Sequence, residues 1–400
     1  TVQALSIDFG TRINLNASGI KIANPSWADS PNMLDLQQLT LDINLFRLMA
    51  GKITGSAKVS GVQVDVEQDS AGMSNWALDT AGPEQQGPSS DSFFLIPDLE
   101  QLEILNATIQ FKSPGGLENQ IDVSQLLIEQ EESRSQVALS GMLNFAAIAA
   151  TGTLGNLQHI LQQGTDTLDI SGSVAGNSFT ILGYWGPVLP KFNASIGISM
   201  YVDSPQDLAA LLGLEIDDVA DISIDATVEA LDGEWSIGSL VTTIDGQDIS
   251  GEIGGSISDL DSMQGMDIRT RVQTSTLNRL LASLGVDLPF ELPPNAAVDT
   301  RITGSLKNVS SFSAAIHDQG LKMDISGAVS DVFGLAGLEA EFSLETDSTR
   351  KLSGFLGREI PDIGPATIKG EIDRNEYASE LKHFSADIGS GPVRIVARGT

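Results

Sequence analysis

Residues 221–229 read Asp-Ile-Ser-Ile-Asp-Ala-Thr-Val-Glu, so that apolar and polar side chains alternate at every position. Successive side chains of a β-strand point to opposite faces, and this stretch therefore predicts a strand with one apolar and one acidic face. The same alternation recurs at residues 39–45, 53–59, 249–257, 302–306, 321–329 and 338–344. Alternating strands joined by turns are typical of antiparallel sheets, so the predicted fold class is mainly β.

A leucine-rich segment that ends in glycine occurs three times, and its copies end at Gly213, Gly285 and Gly357 with a constant spacing of 72 residues. In each copy apolar residues recur three or four positions apart, which predicts a short amphipathic helix that the glycine terminates. The first copy also has Ser204 and Pro205 at the positions of an N-cap and a first helical residue. The spacing predicts repeats of about 72 residues, each with roughly four to five strands and one helix that covers part of the apolar face.

The balance of charged residues narrows the classes of partner. The 400-residue chain carries 53 acidic and 22 basic residues, a net charge of −31. This charge argues against nucleic acid as a partner, because phosphate binding needs clustered Lys and Arg. The absence of cysteine excludes disulfides, thiolate metal sites and thiol catalysis. No apolar run approaches the ~20 residues that a membrane-spanning helix needs.

Composition and pattern divide the chain into modules. A chain of this length exceeds one compact domain, and residues 80–92, which lack apolar partners for any surface, predict a flexible loop. We therefore predict an N-terminal β module over residues 1–79, a β-rich middle module with one short helix over 93–200, and the 72-residue repeats over 201–400. In the first module the alternation changes parity at Gly61 and around Gly19, which predicts a bulge or bend at each place.

Three sequence patterns of the first module occur in the same order as in the proteins of a known family. Residues 12–25 have the pattern Arg-x-x-Leu followed by Ser-Gly-x-x-Ile-Ala-Asn-Pro, and residues 39–53 read Leu-x-Leu-x-Ile-x-Leu-x-x-Leu-x-x-Gly-x-Ile. Residues 64–76 have Val-x-Val-Glu followed by Gly-x-x-Asn-Trp. This order is similar to the N-terminal region of the AsmA family. The similarity extends to residues 97–109 and to the helix, glycine and proline pattern of the three copies.

The resemblance implies a fold and a function. AsmA-family proteins are bacterial envelope proteins, generally held in the inner membrane by one N-terminal helix, and they are related to bridge-like lipid-transfer proteins. The implied fold is an elongated, curved antiparallel sheet, taco-like in section, whose apolar concave side is a groove for acyl chains. The implied partner is a phospholipid or another acyl-chain lipid, and the implied role is phospholipid transport between inner and outer membrane and outer-membrane biogenesis, without a cofactor. The chain starts with Thr1, so we expect a periplasmic segment of a longer protein whose inner-membrane helix is absent from this chain.

The apolar members of the alternating runs in the second half of the chain would line this groove. They are Ile222, Ile224, Val228, Ile249, Ile253, Ile257, Ile302, Leu306, Met323, Ile325, Val329 and Phe342. A second interpretation remains open, because a sheet with one apolar face normally buries it against another layer. The chain would then be a non-catalytic structural or adhesive β-repeat protein with a closed core, and its acidic face would bind a partner.

Motifs of catalytic or metal sites were sought and not found. His159, His317 and His383 are far apart, and none has the paired spacing of zinc ligands. The sequence contains no phosphate-binding loop, no dinucleotide-binding glycine motif after a strand and no nucleophile elbow. The run Asp65-x-Glu67-x-Asp69 resembles the start of a calcium loop but lacks the turn glycine and the bidentate glutamate, so it is interpreted as a solvated strand face. We therefore expect neither an enzyme nor a metal site.

Overall fold

Two compact units make up the chain, Thr1–Ile196 (unit 1) and Gly197–Thr400 (unit 2). Both are mainly β and contain few, short helices, which confirms the predicted fold class. The computed structural model describes residues 1–49, 54–67, 74–75, 98–112, 118–156, 159–160, 164–187, 192–211, 221–246, 249–260, 262–275, 296–305, 310–318, 320–330, 337–353, 359–374, 379–389 and 395–399.

In unit 1 each strand pairs with the next one along the chain, from β1 to β10. These strands are β1 (Ala4–Phe9), β2 (Arg12–Ala23), β3 (Asn32–Asn44), β4 (Thr54–Glu67), β5 (Asp98–Lys112), β6 (Glu118–Glu131), β7 (Arg134–Leu143), β8 (Ala146–Leu154), β9 (Asp166–Val174) and β10 (Asn177–Trp185). A short helix, α1 (Leu45–Met49), follows β3. Strand β11 (Ala194–Val202) contains the boundary between the two units.

The pair β4–β5 departs from the predicted antiparallel arrangement, because its strands run parallel. Parallel neighbours need a long connection that returns the chain to the same end of the sheet, and residues 68–97 supply that length. The predicted loop over residues 80–92 belongs to this connection and lies outside the described residues. Since β4 and β5 pair along most of their lengths, the chain segments before and after the loop share one sheet. The predicted module boundaries themselves stay a prediction.

A line of left-handed residues crosses unit 1 where the alternation changes parity. Gly19 in β2, Gly61 in β4 and Asn106 in β5 have φ angles of 62°, 64° and 52°. Leu39 pairs with Val59 before this line in β4, and Leu36 pairs with Val62 after it, so the β3–β4 register is kept. The bend predicted at Gly19 and Gly61 is therefore confirmed. It allows both halves of each strand to keep their apolar side chains on one face of the sheet.

Unit 2 is an antiparallel ladder in which each strand from β12 to β22 pairs with the next. Its strands are β12 (Asp221–Leu231), β13 (Glu234–Asp245), β14 (Ile249–Asp259), β15 (Gln264–Thr274), β16 (Ala296–Ser305), β17 (Ser310–Asp318), β18 (Leu321–Val329), β19 (Leu338–Thr346), β20 (Ala366–Arg374), β21 (Ser379–Ile388) and β22 (Ile395–Gly399). Most connections between these strands are short, as hairpins require.

The predicted helices are found where the structure describes them. Helix α2 (Pro205–Leu211) begins at the predicted proline, and the third copy starts as a 3-10 helix, Thr349–Leu352. The second predicted helix, before Gly285, lies outside the described residues, as do Gly213 and Gly357. Strands β12–β15 follow α2 and strands β16–β19 precede the 3-10 helix, four in each case and within the predicted number. The repeat length of about 72 residues stays a prediction.

The third helical segment packs on the sheet. Leu352 of the 3-10 helix joins a buried cluster with Leu321 of β18, Leu344 of β19 and Ala366 of β20. This contact confirms, for the third copy, that a helical segment covers part of the apolar face. Among the residues that the structure describes, no helix combines the length and the apolar character needed to cross a membrane.

Candidate functional site

Strand register in unit 2 brings the predicted lining residues to one face of the sheet. Residues that face each other across neighbouring strands lie on the same side, and the pairing can be followed from β12 to β19 without a change of face. This apolar face carries Ile222, Ile224 and Val228 of β12, Ile249, Ile253 and Ile257 of β14, Ile302 of β16, Met323, Ile325 and Val329 of β18, and Phe342 of β19. Leu306 lies outside the described residues.

Two rows of side chains run across the middle of this face, perpendicular to the strands. The first inner row consists of Ile224, Thr242, Ile253, Thr270, Thr300, Ala314, Ile325 and Phe342. The second inner row consists of Ala226, Leu240, Gly255, Ile268, Ile302, Phe312, Gly327 and Ala340. Every isoleucine, leucine and phenylalanine in these two rows is half-buried. Large apolar side chains are therefore partly open to solvent along the whole width of eight strands.

From β14 to β19 most residues at the margins of the same face, at the ends of the strands, are buried, whereas Ile222, Val228 and Ile244 of β12 and β13 are half-buried. On the side of the helical segments the buried residues are Ile249, Val272, Thr274, Ala296, Ile316, Leu321, Met323, Leu344, Thr346 and Ala366. On the other side they are Ile257, Met266, Ser305, Ser310 and Val329. Ala296 is 0% exposed and Leu321 only 3%, so little solvent reaches the sheet from the helical side.

This distribution of exposure is the reverse of what a closed core gives. When a second layer covers a sheet, the middle of the sheet is buried most and its margins least. Here, from β14 to β19, most margin residues are buried, while every inner-row residue except Ala340 is half-buried. With strands ~4.8 Å apart, the open strip crosses eight strands over roughly 34 Å, and the two inner rows lie ~7 Å apart. A strip of this form offers an extended apolar ligand a continuous surface.

Unit 1 carries rows of the same kind. One row can be followed from β1 to β10 through Ile7, Leu15, Leu41, Ala57, Leu102, Ile128, Val137, Gly152, Ile170 and Ile181. The parallel pair β4–β5 does not interrupt it, because Ala57 faces Leu102 there. An apolar face is therefore common to both units.

The opposite face of unit 2 is polar and carries arginines as well as acids. Arg301 donates two hydrogen bonds to Asp267, at 2.9 and 2.8 Å, and Arg271 donates one to Asp299 at 2.7 Å. The hydrogen bond from Arg301 holds the pKa of the Asp267 carboxyl below its ordinary value. Arg269 and Arg301 face each other across β15 and β16, an arrangement of like charges that the shared Asp267 offsets.

A concavity of about 1140 Å³ lies on this polar face. Its walls are formed by strands β13 to β21, mainly by charged and small side chains that include Glu252, Asp267, Arg269, Arg271, Arg301 and Glu371. Of the predicted lining residues that the structure describes, Ile325 and Phe342 alone border it. The alternating runs of the sequence predicted an acidic face. The polar face is instead a mixture of acidic and basic side chains. The signal that was missed is the alternation of Arg269 and Arg271 within a strand whose even-numbered neighbours are apolar or hydroxylated.

The interpretation of Asp65 and Glu67 as a solvated strand face is wrong, because their side chains are only 7% and 5% exposed. The Glu67 carboxylate accepts hydrogen bonds from the backbone N–H groups of Asp29, at 2.7 Å, and Ser30, at 2.9 Å. Burial raises the pKa of Glu67, but these donors and the charge of Lys112 outweigh it, so the pKa lies below its ordinary value. Ionised Glu67 therefore fastens the β2–β3 connection to β4. Asp69 lies outside the described residues.

The histidines lie apart, each beside one charged residue. His383 Nδ1 is 2.7 Å from Glu371 Oε2, and His159 Nδ1 is 3.7 Å from Asp166 Oδ2. His317 faces Lys322 across β17 and β18. Within the described part of the chain, no group of three or more His, Asp or Glu side chains could hold a metal ion.

Comparison with protein families matches residues 9–144 to the AsmA family. The matched segment lies within unit 1 and includes strands β2 to β7, with the parallel pair and the line of left-handed residues. Neither the comparison with curated proteins nor that with solved structures gave a match. The segment contains the three stretches whose order first pointed to this family. Residues 9–144, about a third of the chain, are therefore similar to the AsmA family.

Proposed function

We propose that this chain is the periplasmic segment of an AsmA-family envelope protein and that it binds the acyl chains of phospholipids along its apolar face. The match of residues 9–144 to the AsmA family supports an envelope-associated role in lipid transfer. The observation that carries the proposal to unit 2 is the half-open middle of its apolar face between margins that are mostly buried from β14 to β19. In this role the chain supports phospholipid transport between inner and outer membrane and outer-membrane biogenesis.

Binding along this strip follows from the hydrophobic effect. Each methylene of an acyl chain that leaves water for an apolar surface contributes about 0.8 kcal/mol. The half-buried isoleucines and phenylalanines of the inner rows also lose their remaining contact with water, which adds to this gain. Neither step needs a chemical reaction, so the proposed role is non-catalytic and requires no cofactor. The lipid headgroup stays in water at the open side of the strip.

The proposal includes a location. An N-terminal helix outside this chain would anchor the full-length protein in the inner membrane, as the family resemblance implies, and the apolar face would then extend into the periplasm. The acidic excess, a net charge of −31, keeps such a protein soluble and discourages contact with anionic lipid surfaces along its length.

Native mass spectrometry tests the proposal. The chain is stripped of lipid in detergent and then incubated with vesicles of phosphatidylethanolamine and phosphatidylglycerol. We expect bound phospholipid on the wild type and on Ser326→Asp, which alters the polar face. We expect much less on Ile325→Asp, which places a carboxylate in the first inner row. Absence of lipid from the wild type, or equal occupancy of both variants, contradicts the proposal.

The concavity on the polar face of unit 2 supports a second candidate function, the binding of a protein partner. Arg271, Arg301 and Glu371 border it together with small residues such as Ser313 and Ser326. Arg271→Glu should then leave lipid occupancy unchanged and reduce complementation of a strain that lacks the full-length protein. Normal complementation by Arg271→Glu removes this candidate.

A further inference from the structure

Three threonine hydroxyls interrupt the apolar strip of unit 2. Thr242 of β13, Thr270 of β15 and Thr300 of β16 lie in the first inner row, and all three are half-buried. The second inner row consists only of apolar side chains and glycine. The polar side chains of the two inner rows are therefore confined to one row and to the strands from β13 to β16.

These hydroxyls are accessible and have no partner in the protein. Within the described part of the chain they make no hydrogen bond, and none of the three oxygens is among the unpartnered atoms that the protein shields from solvent. A threonine at the margin of the same face differs, because Thr346 is only 6% exposed and its Oγ1 donates to the Ser348 carbonyl at 2.9 Å. The margin threonine thus serves the fold, whereas the hydroxyls of the inner row are free to bind a ligand.

A surface that bound hydrocarbon alone would gain from valine at these positions. Valine has the shape of threonine but carries a methyl group in place of the hydroxyl, and its burial under an acyl chain would be favourable. A hydroxyl that hydrocarbon covers without offering a hydrogen bond costs free energy instead. The row is therefore suited to a ligand that brings a hydrogen-bond acceptor to this part of the strip.

The positions of the threonines indicate the kind of acceptor. Thr270 and Thr300 face each other directly across β15 and β16, so their Cβ atoms lie ~5 Å apart. Thr242 lies two strands from Thr270, ~10 Å away, with Ile253 between them. The pair Thr270 and Thr300 therefore offers two neighbouring O–H donors. The two ester carbonyls of a diacyl glycerolipid match this pair, because they are acceptors, sit on adjacent glycerol carbons and lie where the acyl chains begin.

We propose that the hydroxyls of Thr270 and Thr300 bind the ester carbonyl oxygens of a diacyl glycerolipid. This inference rests on the proposed function and adds to it the chemical class of the ligand and its position on the strip. The acyl chains extend from the threonine pair along the inner rows, over Ile253 on one side and over Ile325 and Phe342 on the other. The headgroup leaves the pair toward water at the open side of the strip.

Competition between two phospholipids tests the inference in the full 400-residue chain. Vesicles contain equal amounts of diester and diether phosphatidylglycerol with the same chain length, and native mass spectrometry measures the bound ratio. The diether lipid keeps the headgroup and the chains but lacks both carbonyl oxygens. The test variant is Thr270→Val with Thr300→Val, and the matched control is Thr243→Val with Thr303→Val on the polar face. Each change keeps a β-branched side chain, and circular dichroism verifies the fold of both variants.

A neutral hydrogen bond typically changes a binding equilibrium by a factor of about 2–10, so two bonds should favour the diester lipid at least about fivefold. We expect this preference in the wild type and in the control, and its loss in the test variant with total lipid occupancy maintained. Equal binding of the two lipids by the wild type, or an unchanged preference in the test variant, overturns the inference and leaves the proposed function intact. A wild type that binds neither lipid refutes the proposed function and the inference together.

Discussion

The substitutions Ile253→Asp and Leu344→Asp distinguish an open apolar strip from a closed core. Both place a carboxylate on the apolar face of unit 2, one in the first inner row and one in the buried margin. Ile253 is half-buried between Thr242 and Thr270, whereas Leu344 is 7% exposed and packs against Leu321. If the strip is open, the two substitutions should lower the free energy of unfolding by very different amounts. If the core is closed, the two decreases should be similar.

The magnitudes follow from burial. Complete burial of an isoleucine side chain contributes about 1.5–3 kcal/mol, so the loss of half-buried Ile253 costs roughly 1 kcal/mol. Its replacement carboxylate stays in contact with water and adds about 1 kcal/mol at most. At Leu344 the lost burial is complete, and an unpaired buried charge adds several kcal/mol. The second cost approaches the whole stability of an ordinary domain, about 5–15 kcal/mol.

Urea denaturation followed by circular dichroism measures the loss of unfolding free energy in both variants. Ile253→Asn serves as an uncharged control, because asparagine has nearly the same shape as aspartate. We expect Ile253→Asp to fold with a free energy of unfolding about 1–2 kcal/mol below wild type and to lose bound lipid. We expect Leu344→Asp to be unfolded in unit 2. If Ile253→Asp unfolds the unit as Leu344→Asp does, the inner row is part of a closed core and the reasoning is refuted.

Three further changes test the packing around this face. Leu352→Ala should lower the free energy of unfolding by about 2–4 kcal/mol in urea titrations, and a loss below ~1 kcal/mol would show that the 3-10 helix does not pack on the sheet. Glu67→Gln should destabilise unit 1 by about 1–2 kcal/mol at neutral pH. Because the folded-state pKa of Glu67 is lowered, this difference should persist above its ordinary value of 4.5 and vanish as the pH falls through the folded-state pKa; a difference independent of pH contradicts the assignment. Gly327→Ala should cost about 1–3 kcal/mol in thermal melts, because the backbone oxygen of Glu339 occupies the place of the new methyl group, whereas Gly238→Ala, with ordinary contacts, should cost less than ~0.5 kcal/mol.

The strands and the face of each side chain could be predicted from the sequence because both depend on a local period of two residues. The run 221–229 lies in β12 with its even-numbered residues on the apolar face, as its alternation predicts. The change of parity at Gly61 predicted a bend, and the positive φ there supplies it. The proline at residue 205 marked the start of α2 correctly.

Features that depend on distant parts of the chain could not be predicted in this way. The parallel pairing of β4 with β5 depends on the path of the residues between them, which has no periodic pattern. Burial of Glu67 depends on backbone donors 37 and 38 positions earlier in the chain. The concavity on the polar face is lined by residues from nine strands, β13 to β21, and no single strand encodes how they come together.

The candidate site could be predicted from the sequence in part. That Ile253, Ile325 and Phe342 share a face follows from parity and was predicted. That the middle of this face is half open while most of its margin residues from β14 to β19 are buried depends on how strand ends and helical segments pack, and only the structure shows it. This graded exposure, rather than apolar character alone, favours a ligand strip over a core.

Site-specific photo-crosslinking to a labelled phospholipid tests the central claim most directly. A photoreactive residue is placed at Ile253 or Phe342 of the apolar face, and at the adjacent Glu252 or Glu341 of the polar face as matched controls. We expect lipid adducts at Ile253 and Phe342 and none at the two glutamate positions. Adducts of equal yield on both faces, or their absence at Ile253 and Phe342, would contradict it.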